Sequence, residues 1–409
     1  MNSNKKKDIG LKRSLSLPML IFYGLGTTVG AGIYVLVGAA AGEAGMYAPV
    51  SFLLAALALA PTAMSYAELS GRMPVSAGEA MYVLKGFRST RVSKMIGWAV
   101  ILSGIVASAT IAIGCAGYLS VFTSIPISIL VAATVILMGI IAMWGIKESV
   151  IFTAVFTLIE VGGLLAIIIL GMTSESFNIE SLGRTIPKLG DFSVWSGIIA
   201  ASLFTVFAFI GFEDMVNVAE ETKDPRKTLP KAIFYTLAIT TILYFAVTLV
   251  AVITISPQIL STSEAPLSLV FDELMDRDSW VIGAIAVFAT ANTILVQFIM
   301  VSRVIYGMAG QGTMPKKFNK VHPRTRTPIL ATFAVVIATL ILALLFPIEA
   351  LAQFTSQVIL VIWLFCNLAL ILIKRRKEPN LEGGYMTKSW VPYIGAVLSL
   401  LLLILSFLT

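Results

Sequence analysis

The sequence predicts an all-α polytopic membrane protein. The chain has 409 residues, of which 58% are hydrophobic and only 12% charged, and its mean hydropathy is +0.93. Soluble domains carry about 25% charged residues, so this chain has too little polar surface to cover its apolar residues in water. The apolar residues also form long runs, with the basic residues between them. These observations exclude an ordinary soluble enzyme and favour several helices that cross a bilayer.

Eleven windows of about 20 mainly apolar residues predict eleven transmembrane helices in contact with lipid. A lysine-rich start precedes the first window, but no small-residue cleavage site follows it, so we interpret the first window as an uncleaved membrane helix. The windows, numbered here as spans one to eleven, are centred on Gly30, Ala58, Ala107, Val135, Leu164, Phe207, Leu243, Leu295, Val336, Ile362 and Leu401.

The basic residues predict the orientation, because cytoplasmic loops retain Lys and Arg. With the N-terminus inside, all of the 29 basic residues except Arg184, Lys188 and Arg277 fall on the cytoplasmic side. We therefore predict a multi-pass protein of the cell membrane with a cytoplasmic N-terminus and, given an odd number of spans, an extracellular Thr409. The net charge of +7 is spread over these loops, so we predict no nucleic-acid partner. The sequence does not indicate an oligomeric state.

Span one contains four glycines within nine residues, at positions 24, 26, 30 and 32. Each glycine in a helix interior costs about 1 kcal/mol relative to alanine. The segment from Gly30 to Gly32 also removes side chains where main-chain amides can face a ligand. We predict that the helix is interrupted here. A helix-packing motif formed by Gly26 and Gly30 is the alternative interpretation.

Span six contains a second irregular segment, in which Gly211 is followed by Glu213 and Asp214 before the span has ended. Spans one and six lie five helices apart, and interrupted helices at corresponding positions are typical of transporters built from inverted repeats. We therefore predict one domain with repeats at about 17–171 and 196–373 and an extra helix at about 391–408. Unwound backbone must line a cavity at membrane depth. Its amides can hold a carboxylate and its carbonyls an ammonium group, as in a zwitterionic amino acid.

Short motifs occur in order from span one to span nine. They are Gly26-Thr-Thr-Val-Gly30-Ala-Gly32-Ile33-Tyr34, Tyr66-Ala-Glu-Leu69 before Pro74, Gly211-Phe-Glu213, Ala219-Glu-Glu-Thr-Lys-Asp-Pro225 with Leu229-Pro230, Ser302-Arg303 with Tyr306, and Val321-His-Pro323 with Thr327-Pro328. Together they resemble motifs of the amino acid/polyamine/organocation (APC) superfamily of permeases. The resemblance implies a LeuT-like fold, with five plus five helices in inverted repeat and extra C-terminal helices, of which this chain has one.

The same resemblance implies where a substrate binds. Its carboxylate would meet the main-chain amides from Gly30 to Gly32, and its amino group would meet carbonyls near Thr28, Phe207 and Ile210. Phe207 also resembles an aromatic gate, with core packing as its alternative role, and Ser108 is expected in the pocket wall. The predicted substrate-binding residues are Thr28, Val29, Gly30, Ala31, Gly32, Ser108, Phe207, Ile210 and Gly211.

Glu160, Glu213 and Asn292 are the predicted coupling or gating residues. A charge at the position of Glu160, in the middle of span five, costs at least about 2.5 kcal/mol, so this carboxyl group is expected to face the bundle interior. The resemblance implies that relatives carry a lysine here, whose positive charge takes the place of a sodium ion. This chain has a glutamate instead, which is negative when ionised. Glu160 can take up a proton, can bind a cation together with Thr290, Asn292 or Thr293 of span eight, or can be a protonated structural group. Glu213 matches a carboxylate implicated in gating, with a structural role as its alternative.

These features favour a secondary active transporter that moves an amino acid by alternating access. We predict coupling to protons, with sodium left open, and no cofactor. No predicted pocket position carries an acidic group reserved for a cationic side chain, which favours small or neutral amino acids. The alternatives are an amine or polyamine permease and an amino acid exchanger. The sequence has no metal-ligand cluster or hydrolase motif typical of a membrane enzyme and no carbonyl-filter repeat typical of a channel.

Overall fold

The computed structural model describes residues 11–120, 122–263, 265–276, 280–379 and 384–407. The lysine-rich start, Arg277 and Thr409, which enter the orientation prediction, lie outside these ranges. The α-helices within them are α1 (Leu17–Thr28), α2 (Ala31–Ala44), α3 (Ala48–Arg72), α4 (Gly78–Phe87), α5 (Thr90–Ser120), α6 (Ile127–Trp144), α7 (Ile146–Thr173), α8 (Ile179–Arg184), α9 (Phe192–Thr205), α10 (Pro225–Thr254), α11 (Pro257–Thr262), α12 (Pro266–Met275), α13 (Val281–Gly310), α14 (Ile329–Leu345), α15 (Ile348–Arg375) and α16 (Val391–Leu405).

Eight helical stretches of the described chain are long and apolar enough to cross a membrane. One of them, Leu36–Arg72, joins the end of α2 to α3, and three shorter apolar helices are α1, α14 and α16. The described residues contain no β-strand, only an isolated bridge. The prediction of an all-helical polytopic membrane protein is therefore confirmed, while the number of eleven spans stays a prediction.

The first helical interruption lies between α1 and α2. Helix α1 ends at Thr28, and α2 begins at Ala31. Val29 leaves the helical conformation with ψ of 51°, and Gly30 is extended with φ of −96° and ψ of −154°. We call this segment the first break. It falls within the glycine-rich stretch of the sequence.

The second interruption lies between two 3₁₀ helices that follow α9. Helix α9 continues as a 3₁₀ helix over Val206–Phe209, and another 3₁₀ helix begins at Phe212 and ends at Glu221. Between them, Ile210 has ψ of 136° and Gly211 has φ of 118°. A positive φ of this size is readily adopted only by glycine. We call this segment the second break.

The two breaks lie against each other in the interior. The Thr27 hydroxyl, one residue before the end of α1, lies 3.0 Å from the carbonyl oxygen of Gly211 and 2.8 Å from that of Gly24. Around them, α5 packs along α13 and α15, and α10 packs along α3 and α1. The surrounding helices thus hold both breaks in one central place.

The ends of the two broken segments away from the breaks are also joined. Main-chain N–H groups of Ser14 and Leu15 donate to the carbonyl oxygen of Glu221 at 2.8 and 2.9 Å, and the Lys223 N–H donates to the Leu15 carbonyl at 2.8 Å. This contact forms the parallel bridge between Leu15 and Thr222. The start of α1 and the end of the 3₁₀ helix after the second break are therefore attached to each other.

Candidate functional site

A cavity of about 220 Å³ lies between the two breaks. Its size suits a small ligand, since pockets for drug-sized molecules are larger. Both breaks, α4, α5, α13 and α15 supply its walls. The lining residues are Thr27, Thr28, Gly30, Gly32, Glu79, Val100, Ser103, Gly104, Ala107, Thr110, Ile111, Phe207, Ala208, Ile210, Glu213, Asp214, Thr293, Gln297, Met300, Thr355, Ser356, Ile359 and Ile362.

The cavity brings together most of the predicted substrate-binding positions. Thr28, Gly30 and Gly32 line it from the first break, and Phe207 and Ile210 line it from the second. The amides from Ala31 onward begin helix α2, and the first four amides of a helix have no intrahelical acceptor. This end of α2 can therefore bind an anionic group, aided by the helix dipole.

Three other predicted substrate-binding residues, Val29, Gly211 and Ser108, use their polar groups in hydrogen bonds within the protein. The Val29 N–H is already used by the carbonyl oxygen of Leu25 at 2.7 Å, and the Gly211 N–H donates to Glu213 Oε2 at 2.9 Å. The Ser108 hydroxyl is buried and donates to the carbonyl oxygen of Gly104 in its own helix at 2.7 Å. Ser108 is absent from the described lining, to which α5 contributes Ser103 and Thr110 instead.

Tyr244 of α10 connects the main chains of the two breaks. Its hydroxyl lies 2.6 Å from the carbonyl oxygen of Thr28 and 3.0 Å from that of Ala208. The ring is fully buried and contacts Phe209 and Phe52, with centroids 5.1 and 5.6 Å away. Sequence reasoning missed Tyr244, because its role comes from tertiary packing and no local motif marks it.

Three acidic residues line the cavity, and two of them, Glu79 and Asp214, are not among the predicted site residues. Glu79 of α4 and the consecutive Glu213 and Asp214 are all buried, yet each borders the cavity. The expectation that no predicted pocket position carries an acidic group reserved for a cationic side chain stays a prediction. Glu79 lies on a short helix outside the candidate membrane spans and reaches the cavity because α4 packs against the 3₁₀ helix Phe212–Glu221. We call these three residues the acidic end of the cavity.

Neutral groups hold the acidic end in place. Glu79 Oε1 accepts from Asn217 Nδ2 at 3.2 Å, and Asp214 Oδ2 accepts from Gln297 Nε2 at 2.7 Å. Burial raises the pKa of Glu79 to about 8, and the Asn217 hydrogen bond only partly opposes this effect. Within the described residues, no His, Cys, Asp or Glu group of three or more is arranged to hold a metal ion.

The predicted coupling residues Glu160 and Asn292 lie outside the cavity lining. Glu160 is fully buried in α7, and neither of its carboxyl oxygens has a hydrogen-bond partner among the described residues. Asn292 of α13 donates to Thr157 Oγ1 at 2.9 Å, and Thr157 in turn donates to the carbonyl oxygen of Phe22 in α1 at 3.2 Å. This chain of hydrogen bonds links α13 and α7 to the helix that ends at the first break.

Comparison with known proteins decides the family. The sequence profile of the family described as "Amino acid permease" matches residues 15–409. The chain belongs to the amino acid permease family. The relatives that match this permease are transporters and its fold is a transporter fold, so it is a multi-pass membrane transporter and not an enzyme. Its predicted membership of the APC superfamily is thereby confirmed.

Two curated relatives illustrate the range of named substrates. This permease is 30% identical over 422 residues to the branched-chain amino acid permease BcaP of Bacillus subtilis (strain 168), covering 97% of this chain and 88% of BcaP. It is 31% identical over 367 residues to the vacuolar cationic amino acid transporter 4 of Arabidopsis thaliana. That alignment covers 85% of this chain and 60% of the plant protein.

A solved structure supports the fold. The chain resembles a Na⁺-coupled sialic acid symporter in its substrate-bound outward-open state, with a TM-score of 0.64 and 15% sequence identity. The similarity covers 100% of this chain and 93% of the symporter chain. At this identity the comparison shows a shared fold and carries no information on substrate or coupling ion.

Proposed function

We propose that this permease moves an amino acid across the cell membrane by alternating access. The observation that carries the proposal is a cavity bordered by residues beside both breaks, at Gly30 and Gly32 on one side and Ile210 on the other. The amides at the start of α2 can bind the substrate carboxylate. The carbonyl oxygens of Thr28 and Phe207 can accept from the substrate ammonium group, since a carbonyl oxygen has two lone pairs.

We further propose the membrane arrangement that this mechanism requires. Helices α1 and α2 together form span one, and the remaining apolar helices complete eleven spans. Repeats at about 17–171 and 196–373, followed by a helix at about 391–408, place both breaks at mid-membrane. Spans one, two, six and seven move against the rest, and the basic loops place the N-terminus in the cytoplasm and the C-terminus outside.

Proton coupling through Glu160 is the proposed source of driving force. A fully buried carboxyl group without hydrogen-bond partners is costly when charged, so its ionisation depends strongly on its surroundings. Thr157, three residues before Glu160 in α7, accepts from Asn292 and donates to the Phe22 carbonyl oxygen of α1. Movement at the first break would therefore change those surroundings. A sodium ion bound near Glu160 and Asn292 is the competing coupling mechanism.

The proposed substrate preference differs from the sequence-based one, because the acidic end weakens the argument for small or neutral amino acids. It also keeps an amine or polyamine permease as the second candidate, since three carboxylates suit organic cations. An amino acid transporter and an amine permease differ in whether the amides at the start of α2 hold a substrate carboxylate. An amino acid needs those amides and an amine does not.

Transport by the purified protein in proteoliposomes tests the proposal. We expect saturable uptake of at least one amino acid, stimulated by an acid-outside pH gradient and independent of sodium, with the decarboxylated analogue at least about tenfold weaker as a competitor. Equal competition by the amine would favour the second candidate. Uptake that requires sodium and ignores the pH gradient would contradict proton coupling.

A further inference from the structure

The acidic end has no built-in positive partner. None of the described lining residues is Lys, Arg or His, whereas Glu79, Glu213 and Asp214 all border the cavity. Buried carboxylates are ordinarily paired with a cation or held by several donors. A ligand cation at this wall of the cavity would supply the opposite charge that the described lining residues lack and would favour the charged form of these buried carboxyl groups.

The hydrogen bonds of these carboxylates leave room for such a cation. Glu79 Oε2 is buried and has no hydrogen-bond partner among the described residues, although Oε1 is held by Asn217. Asp214 receives its hydrogen bond from the neutral amide of Gln297. Glu213 instead receives the main-chain N–H of Gly211, so it also fixes the second break. Glu79 and Asp214 are therefore the two carboxylates best placed to receive a ligand.

The buried ion pair between Arg303 and Glu221 does not neutralise this cluster. Arg303 of α13 donates through Nε and Nη2 to both carboxylate oxygens of Glu221, each at 3.0 Å, and both side chains are fully buried. Its Nη1 donates to the Ser302 hydroxyl at 2.9 Å. Because this guanidinium is already committed to Glu221 in a bidentate pair, it is unavailable to Asp214.

The walls of the acidic end come from separate parts of the fold. Asp214 belongs to the 3₁₀ helix that follows the second break, Glu79 to α4, and Gln297 to α13. A ligand group between them would be contacted from several sides, as selective recognition of a charged group requires. The three carboxylates do not form a metal-binding group, so an extended organic cation fits the arrangement better than a bare metal ion.

We propose that Asp214 and Glu79 select substrates whose side chain ends in a positively charged nitrogen. This proposal rests on the proposed amino acid transport and names its substrate class. The substrate carboxylate lies at the amides that begin α2, and the side-chain ammonium or guanidinium group lies at the acidic end. Gln297 holds the Asp214 carboxylate through its Nε2, and its buried Oε1 has no hydrogen-bond partner among the described residues.

Lysine and norleucine provide the direct test, since their side chains have the same carbon chain and only lysine carries the ammonium group. We expect the purified protein in detergent to bind lysine at least about tenfold more tightly than norleucine, by isothermal titration calorimetry. Equal binding, or tighter binding of norleucine, would overturn the proposal while leaving amino acid transport intact. Binding of neither compound, nor of any other amino acid, would contradict the proposed function itself.

Variants then test the two named carboxylates. Asp214→Asn and Glu79→Gln should each lower the ratio of lysine to norleucine affinity at least about tenfold, and Asp214→Glu should restore part of it. Glu180→Gln, in the exposed pair with Arg184, is the matched control and should leave the ratio unchanged. If Asp214→Asn does not fold, the ratio of lysine to norleucine affinity in Glu79→Gln tests the proposal alone. An unchanged ratio in the folded carboxamide variants would overturn the assignment.

Discussion

The hydroxyl of Tyr244 lies 2.6 Å from the carbonyl oxygen of Thr28, the last residue of α1. The same hydroxyl lies 3.0 Å from the carbonyl oxygen of Ala208, just before the second break. A phenol has one proton, so it donates fully to one of these carbonyls or is shared between both. Tyr244 is thus a single side chain of α10 that responds to the position of both breaks.

Tyr244→Phe should weaken the connection between the breaks while keeping the buried ring. Loss of one hydrogen bond costs about 1 kcal/mol, so we expect a lower melting temperature in detergent and slower uptake in proteoliposomes. Tyr235→Phe, at an exposed position of the same helix, is the control and should change neither. A Tyr244→Phe protein with unaltered stability and uptake would show that this hydroxyl is dispensable.

Gly211→Ala should destabilise the second break. The φ of 118° is strained for alanine, and the added Cβ would lie 2.8 Å from the carbonyl oxygen of Thr27. We expect a loss of about 1–3 kcal/mol in the free energy of unfolding, read as a lower melting temperature, together with loss of transport.

Gly114→Ala in α5 is the matched control, because an added Cβ there meets nothing within 4 Å. It should keep or slightly raise the stability, as alanine favours a helix. If the two variants melted alike, the strain at Gly211 would have been wrongly assigned.

Glu160→Gln should retain substrate binding but lose the response of uptake to an imposed pH gradient. Glutamine keeps the shape of the side chain and cannot exchange a proton near neutral pH. The measurement is uptake into proteoliposomes with and without an acid-outside gradient. Glu148→Gln, at an exposed position of the same helix, should respond as the unmodified protein does, and continued acid stimulation of Glu160→Gln would remove Glu160 from coupling.

Glu79 should make stability depend on pH. Its pKa is raised to about 8 in the folded protein, against about 4.3 in an unfolded chain. Between these values the unfolded state has lost a proton that the folded state keeps, so stability falls as pH rises from about 4.5 to about 8. Melting temperatures at pH 5.5 and 8 should therefore converge in Glu79→Gln and remain apart in the Glu180→Gln control. If the difference in melting temperature between the two pH values were the same in both variants, Glu79 would not be the source of the pH dependence.

The helical breaks could be predicted from sequence because their causes are local. Four glycines in span one, and Gly211 before two carboxylates in span six, disfavour a continuous helix through backbone properties alone. The structure ends α1 at Thr28 and gives Gly211 a positive φ, within those same segments. Composition likewise sufficed to predict an all-helical membrane protein.

The cavity wall could not be predicted as well, because it depends on how helices rotate and pack. Ser103 and Ser108 lie on one helix but differ by about 140° around its axis, and only Ser103 lines the cavity. Glu79 lies between the windows of spans two and three, and tertiary packing brings it inward. Gln297 acquires its role only through the contact with Asp214, 83 positions away.

The bridge between Leu15 and Thr222 has a consequence for how the two broken segments can move. Its three main-chain hydrogen bonds fasten the stretch that leads into α1 to the stretch that leaves the second broken segment. A rearrangement that carries both together preserves these bonds, whereas one that separates them must break all three. Pulling Ser14 and Leu15 away would therefore separate the entry of α1 from the exit of the second broken segment, at a distance from the cavity lining.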